Sequence, residues 1–184
     1  MNKLIYSMSI SADGYVNDVD GNISFTVPSE ELHRFHNERA RTLGAHLLGR
    51  RLYDIMLFWE TVKDDPDAPE VMLEFAEIWC PLPKVVFSRT LQSVEGNYRL
   101  SSGSVAEEVE RLKAEANGDI GVGGAGLAAE CIRLGLIDEY HIFVAPVILG
   151  GGTPFFPRLE QRLELELAET RTFDEVVFMR YRAR

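Results

Sequence analysis

The chain is 184 residues long, 46% hydrophobic and 26% charged, an ordinary globular composition able to bury a substantial core without disulfides or metal. Its net charge of −10 argues against a nucleic-acid or anionic-membrane surface, since both need clustered positive charge. Any anionic ligand must therefore be held by a local basic pocket.

Residues 3–10, KLIYSMSI, read as a first strand, ended by the turn Ser11-Ala12-Asp13-Gly14 before Tyr15-Val16 resumes. The apolar run is too short and too interrupted by serine for a signal sequence, and no run approaches the ~18 residues of a membrane span. Cys80 and Cys131 are too far apart for a metal-ligand pair and have no nearby His, so a reduced, cytoplasmic protein is expected. Asp13 stands in a loop directly after a strand, where substrate contacts are common, or it merely shapes the turn. Pro28-Ser29-Glu30-Glu31 starts a helix, with Ser29 as N-cap and two acids suited to the helix dipole; Leu32, Phe35 and Arg39 mark its faces. His33 and His36 lie one turn apart on it, but nothing at a matching spacing completes a metal site, and none is expected.

Leu43 to Leu48 reads as the second strand, and Gly49-Arg50-Arg51 turns from it into a helix reaching Phe58 or Trp59. Cations at a helix N-terminus oppose the dipole; Arg50 and Arg51 are either kept for a phosphate or paired with surface carboxylates. A helix from Glu70 to Trp79 and a strand Lys84-Val85-Val86-Phe87 follow. This strand exits into Ser88-Arg89-Thr90, a cup for a phosphate monoester in which Ser88 could equally serve as a cap. After a short strand at 97–100, Ser104 and Glu107 form a capping box for a helix whose buried face is Val105, Val109, Leu112 and Ala116.

The stretch from Asp119 to Thr153 then reads as strand, glycine turn, helix, strand and second glycine turn. Gly123-Gly124-Ala125-Gly126 lets a ligand approach the backbone, and the following helix presents unpaired amides and partial positive charge to an anion such as a pyrophosphate. Leu127, Cys131 and Leu134 define one face of that helix, and Gly135 caps it. Gly121, Gly123 and Gly126 formally match G-x-G-x-x-G, but Asp138 and Glu139 stand at the start of the next strand, not at the exit where a Rossmann ribose-binding acid belongs. That strand is read as Tyr140 to Leu149. Leu163 to Thr172 and Val176 to Tyr181 form a closing hairpin, with Glu164, Glu166 and Glu169 on a water-facing side. No linker or repeat interrupts the chain, so residues 1–184 are read as one domain.

Three strand exits taken together, LLGRRLYD, VVFSRT and GVGGAG, followed by LGLIDEYHIFVAPVILGGGTPFFP, resemble the dihydrofolate reductase-like fold. They look most like the reductase domain of the bacterial riboflavin-biosynthesis deaminase-reductase and its stand-alone relatives, over nearly the whole chain. The resemblance implies an α/β fold with a mostly parallel central sheet, flanking helices and an antiparallel C-terminal hairpin. It implies NADPH-dependent hydride transfer to a small heterocyclic or carbonyl substrate. The alternatives are a stand-alone 5-amino-6-(5-phosphoribosylamino)uracil reductase or a catalytically silent nucleotide-binding dimer. By the resemblance, Gly49, Arg50 and Arg51 touch the cofactor phosphates, and Ser88 and Arg89 sit beside the ribose 2′-phosphate. Gly123, Gly124, Ala125, Gly126 and Leu127 lie under the pyrophosphate, with Val122 just before them also counted as cofactor-binding, while Ser9 and Val16 meet the nicotinamide. The family's first-helix carboxylate falls near His33, so a water assisted by Asp13 or His33 is the expected proton source. A homodimer is expected from the family.

Overall fold

The computed structural model describes residues 2–184, built from ten strands and six α-helices among the described residues. In chain order they are β1 (Leu4–Ser11), β2 (Tyr15–Asn17), α1 (Glu30–Ala40), β3 (Leu43–Gly49), α2 (Arg50–Met56), α3 (Phe58–Thr61), α4 (Glu70–Trp79), β4 (Lys84–Phe87) and β5 (Tyr98–Leu100). Then come α5 (Val105–Glu115), β6 (Asp119–Gly123), α6 (Ala125–Arg133), β7 (Glu139–Ala145), β8 (Thr153–Pro154), β9 (Leu165–Phe173) and β10 (Val176–Ala183).

Eight strands form one sheet in the order β5-β4-β3-β6-β1-β7-β10-β9. The pairs from β5 through β7 are parallel, and β10 joins β7 antiparallel and carries β9 on its outer edge. The expected mostly parallel sheet with an antiparallel C-terminal hairpin is thus what the chain forms. Alternation along the strands sorts side chains to two faces, because successive residues point opposite ways. Leu47, Val85 and Ile142 join a core under α5 and α6, whereas their neighbours Leu48 and Val86 pack with Tyr53 and Trp79 of α2 and α4. Phe143 packs against Phe35 of α1 and against Phe178.

Three boundaries differ from expectation. Strand β7 ends at Ala145, four residues before Leu149, because Pro146 has no N–H for the ladder and Val147 bonds back to Ala145 O while accepting from Ala12 N. On α6, Leu134 is 51% exposed, and the buried face is instead Leu127, Ala128, Cys131 and Ile132. The helix has ended there: Leu136 N and Gly135 N donate to Cys131 O and Ile132 O, with Gly135 at φ +66, a Schellman cap. On β9 the leucine–glutamate alternation does not sort the two faces. A register shift between Arg180 and Tyr181 turns Glu169 towards Arg180, and Leu167 is left 54% exposed.

The small β2–β8 pair ties the loop after β1 to the loop after β7. A β-carbon at Gly152, which sits at φ +132, would lie 1.9 Å from Asn17 O, so only glycine permits this approach. Both loops thereby stand over the C-terminal edge of the parallel strands.

Candidate functional site

Parallel strands leave their C-terminal ends at one edge of the sheet, so the turns after β3, β4 and β6 are brought side by side although about 75 residues separate the first from the last. Gly49, Arg50, Arg51, Arg89 and the run from Gly124 to Leu127 line one cavity of about 1020 Å³, closed on the far side by the loop from Val16 to Gly21. Gly124 adopts φ +91, and a β-carbon there would come within 3.7 Å of Gly49 N, so the two turns meet almost backbone to backbone. No side chain caps α6, and a β-carbon on Gly126 would meet nothing within 4 Å. The first amides of this nine-residue helix therefore open onto the cavity with the positive end of the dipole behind them.

Arg50 is partly engaged: it donates to Thr90 Oγ1, and its Nε lies 3.7 Å from the Asp54 carboxylate. That exposed pair contributes little to stability. Arg51 and Arg89 are exposed and have no ion-pair partner among the described residues. Of the readings open for the arginines, surface pairing accounts only for Arg50. Ser88 has the local role: its Oγ accepts from Thr90 N (3.2 Å) and Leu91 N (3.1 Å), which holds the turn that presents Arg89. Val122 is fully buried in the core and contributes shape alone. Gly123 and Gly121 make room for neighbours, since β-carbons there would sit 2.3 Å from Leu52 Cδ2 and His46 Cδ2. Asp138 and Glu139 lie at the opposite edge, where Asp138 accepts from Leu4 N and Glu139 from Lys3 Nζ. The ribose-acid arrangement of a Rossmann unit is absent, as their sequence positions foretell.

A second cavity of about 600 Å³ adjoins the first, with Met8, Val16, Ile23, Leu52 and Ile55 lining both. Ser9 and Gly123 open into it from the sheet, and Trp59, Phe75 and Phe143 wall it. A third hollow of about 780 Å³ extends it outward between α1, α3 and α4. Val16 therefore stands where the polar and apolar compartments join, and Ser9 lies on the apolar side.

The two candidate proton donors fall in different places. Asp13 lines none of these cavities; its carboxylate accepts from Leu149 N (3.1 Å) and Gly150 N (2.7 Å) and so fastens the two loops together. Rather than shaping only its own turn, the carboxylate spends both oxygens on backbone amides of the loop after β7. Hydrogen bonds from Ser11 and from those amides hold its pKa below the usual carboxylate value. His33 lines only the outer hollow, bonds Asn37 Oδ1 at 3.1 Å and meets Trp59 and Phe75 edge-on.

His36, one turn further along α1, is the residue sequence reasoning passed over as a site group. It lines both the inner cavity and the outer hollow, and its ring leans on Phe143 at 4.4 Å. Burial, then the nearby His33 and Arg39, push its pKa down to about 4, so the imidazole is neutral near pH 7. The i, i+3 spacing of the two histidines was visible, but which faced the sheet depends on how α1 is rotated against β7.

A family model, RibD C-terminal domain, matches residues 2–179. The chain is 30% identical over 181 residues to the uncharacterized protein YyaP of Bacillus subtilis (strain 168), covering 95% of this chain and 91% of that one. Among solved structures it is similar to a riboflavin biosynthesis protein from Shewanella sp. PV-4, with a TM-score of 0.74, 23% identity and 99% of both chains covered. It is also similar to the Thermotoga maritima deaminase/5-amino-6-(5-phosphoribosylamino)uracil reductase (TM-score 0.69, 16% identity, all of this chain and 57% of that one). A dihydrofolate reductase from Enterococcus faecalis, solved with NADP(H), aligns at a TM-score of 0.60 and 16% identity, covering 98% of this chain and 96% of that one. With its dihydrofolate reductase-like sheet and a family match along almost its whole length, the chain belongs to the RibD C-terminal domain family.

Proposed function

We propose that the chain, acting as one domain, is an NADPH-dependent reductase that directs a hydride to a small heterocyclic or carbonyl substrate. The observation that carries this reading is the convergence of three basic or glycine-rich turns on one cavity that opens into an apolar one. NADPH supplies the hydride. The uncapped start of α6 and the Gly49–Arg51 turn would hold its pyrophosphate, and Arg89 its 2′-phosphate, which is how NADP is told from NAD. Met8, Ser9 and Val16 would seat the nicotinamide face at the junction of the compartments. The apolar walls would exclude bulk water from the reacting atoms, and the substrate's proton would come from a water, with His33 assisting from the outer hollow. A homodimer belongs to the same reading, and sedimentation equilibrium tests it. Family membership favours a riboflavin-pathway reductase as a second reading, tested by NADPH oxidation in the presence of 5-amino-6-(5-phosphoribosylamino)uracil.

Fluorescence titration following Trp59 and Trp79 is the decisive experiment. NADPH is expected to bind with at least a ~10-fold preference over NADH, ~1.4 kcal/mol. Arg89→Ala should remove a charge-assisted contact of about 1.5–3 kcal/mol from NADPH and leave NADH unaffected. Absence of binding by either nucleotide would sink the proposal.

A further inference from the structure

The proton side of the reaction is prepared by a residue that lines none of the three cavities. Asn37 is fully buried between α1 and α4, where its amide has two N–H donors and a carbonyl acceptor to satisfy. Both donors are taken by α4: Nδ2 donates to Val71 O at 3.0 Å and to Glu74 Oε2 at 2.6 Å, while Arg41 holds the other Glu74 oxygen. A reversed amide would set its carbonyl against a backbone carbonyl and a carboxylate, three acceptors without a donor, so the orientation is fixed. The carbonyl oxygen then faces His33 Nδ1 at 3.1 Å. An oxygen that only accepts needs a hydrogen on that nitrogen, so the neutral ring carries its proton on Nδ1 and leaves Nε2 bare.

Trp59 and Phe75 meet the same ring edge-on, each at 5.9 Å between centroids, which limits its rotation. Nε2 has no hydrogen-bond partner among the described residues and is the nitrogen left for the outer hollow. The other charged or titratable groups there are Glu30 and Arg34 on α1, which pair with each other, His36, neutral near pH 7, and Glu70 on α4; none of them hydrogen-bonds the His33 ring. We infer that Asn37 is the positioning residue for proton delivery: it locks His33 in the Nδ1–H tautomer, so that Nε2 alone takes up and releases the proton that follows the hydride. The inference rests on the reductase reading for its reaction, whereas the tautomer stands on the hydrogen bonds alone. The substrate carbon gains the hydride with its electron pair from NADPH, which is oxidised to NADP⁺, and the π pair of the C=N or C=O bond moves onto the heteroatom. The imidazolium Nε2–H passes its proton to a water in the hollow as that water gives one of its own to the heteroatom. The water is unchanged, and His33 is neutral, with Nδ1–H still on Asn37, until solvent restores the Nε2 proton.

Nitrogen-15 NMR of the full-length protein reads the tautomer directly, with His33→Gln identifying the His33 signals among the four histidines. In the wild type the neutral His33 ring is expected to carry hydrogen on Nδ1 and none on Nε2. Asn37→Asp keeps an acceptor facing Nδ1 and adds a negative charge that favours the imidazolium, so the His33 titration should move to higher pH. Asn37→Leu removes the acceptor, and an Nε2–H signal should appear. Turnover is followed as NADPH oxidation with 5-amino-6-(5-phosphoribosylamino)uracil, and kcat should fall as pH rises through the His33 titration. That limb should move to higher pH in Asn37→Asp, and kcat should drop at least tenfold in Asn37→Leu at an unchanged KM for NADPH. A neutral wild-type ring protonated on Nε2 overturns the inference, and this spectrum decides the tautomer even if a variant fails to fold. A folded Asn37→Asp protein whose His33 titration stays where the wild type has it overturns it equally. A protein that shows the Nδ1–H tautomer but neither binds nor oxidises NADPH supports the lock and overturns the reductase reading alone, so the two failures are distinguishable.

Discussion

Glu108 shows how much one buried charge can matter away from the site. It sits on α5 at 2% exposure, yet Arg99 donates to both its oxygens, at 2.9 and 2.6 Å, and Arg111, Ser101 and Ser102 complete its shell. The Arg99 hydrogen bonds outweigh the burial that would raise its pKa and bring it from 4.5 to about 2. A carboxyl lowered on folding adds stability that is fully present above its unfolded pKa and is lost as pH falls through the folded one. Wild-type stability should therefore decline between pH 4.5 and about 2 through this group. Glu108→Gln should lose on the order of 3 kcal/mol at pH 7, and its denaturation midpoints should be flatter across that acid window. Urea denaturation at several pH values measures both; an identical acid limb in the variant would refute the assignment.

At the level of elements, helix ends carry much of the specification. The capping box of α5 forms as its sequence requires: Glu107 N donates to Ser104 Oγ, and Ser104 N donates to Glu107 Oε2 at 2.8 Å. Ser104→Ala should cost about 1 kcal/mol. For a domain of this size that is a fall in melting temperature of roughly 2–4 °C, read by differential scanning calorimetry with nucleotide affinity unchanged. Helix α6 is the contrast, a helix left uncapped at its N-terminus while its C-terminus closes through Gly135. An end left open where a cap was available in the amino-acid alphabet fits a helix whose amides serve a ligand.

For the whole molecule, the proposed cofactor site spans turns after three strands, so occupancy should stabilise the sheet as a unit. At ~100 times its dissociation constant NADPH should add about 2.7 kcal/mol. A rise in melting temperature of roughly 5–10 °C follows. NADH at the same concentration should give a markedly smaller rise. Equal shifts for the two nucleotides would remove the role given to Arg89.

What the chain reveals before folding is whatever depends on near neighbours. Periodicity, capping pairs and the Gly–Arg, Ser–Arg and Gly–Gly exits set the helices, the parallel strands and three of the turns that meet at the site, because i to i+4 contacts and backbone restrictions fix them locally. The end of β7, the exposure of Leu134 and Leu167, the clamping role of Asp13 and the cavity-facing position of His36 were not legible in this way. Three of these depend on a partner far along the chain: Val147 O on Ala12, the Asp13 carboxylate on Gly150, the His36 ring on Phe143; Leu134 is turned outward by the local cap at Gly135 and Leu167 by the register shift of its hairpin. The sequence by itself determined which segments could cradle an anion. Only the tertiary structure decided that they share one cavity and which histidine faces the apolar one, because rotation of a helix about its axis is settled by packing against the sheet.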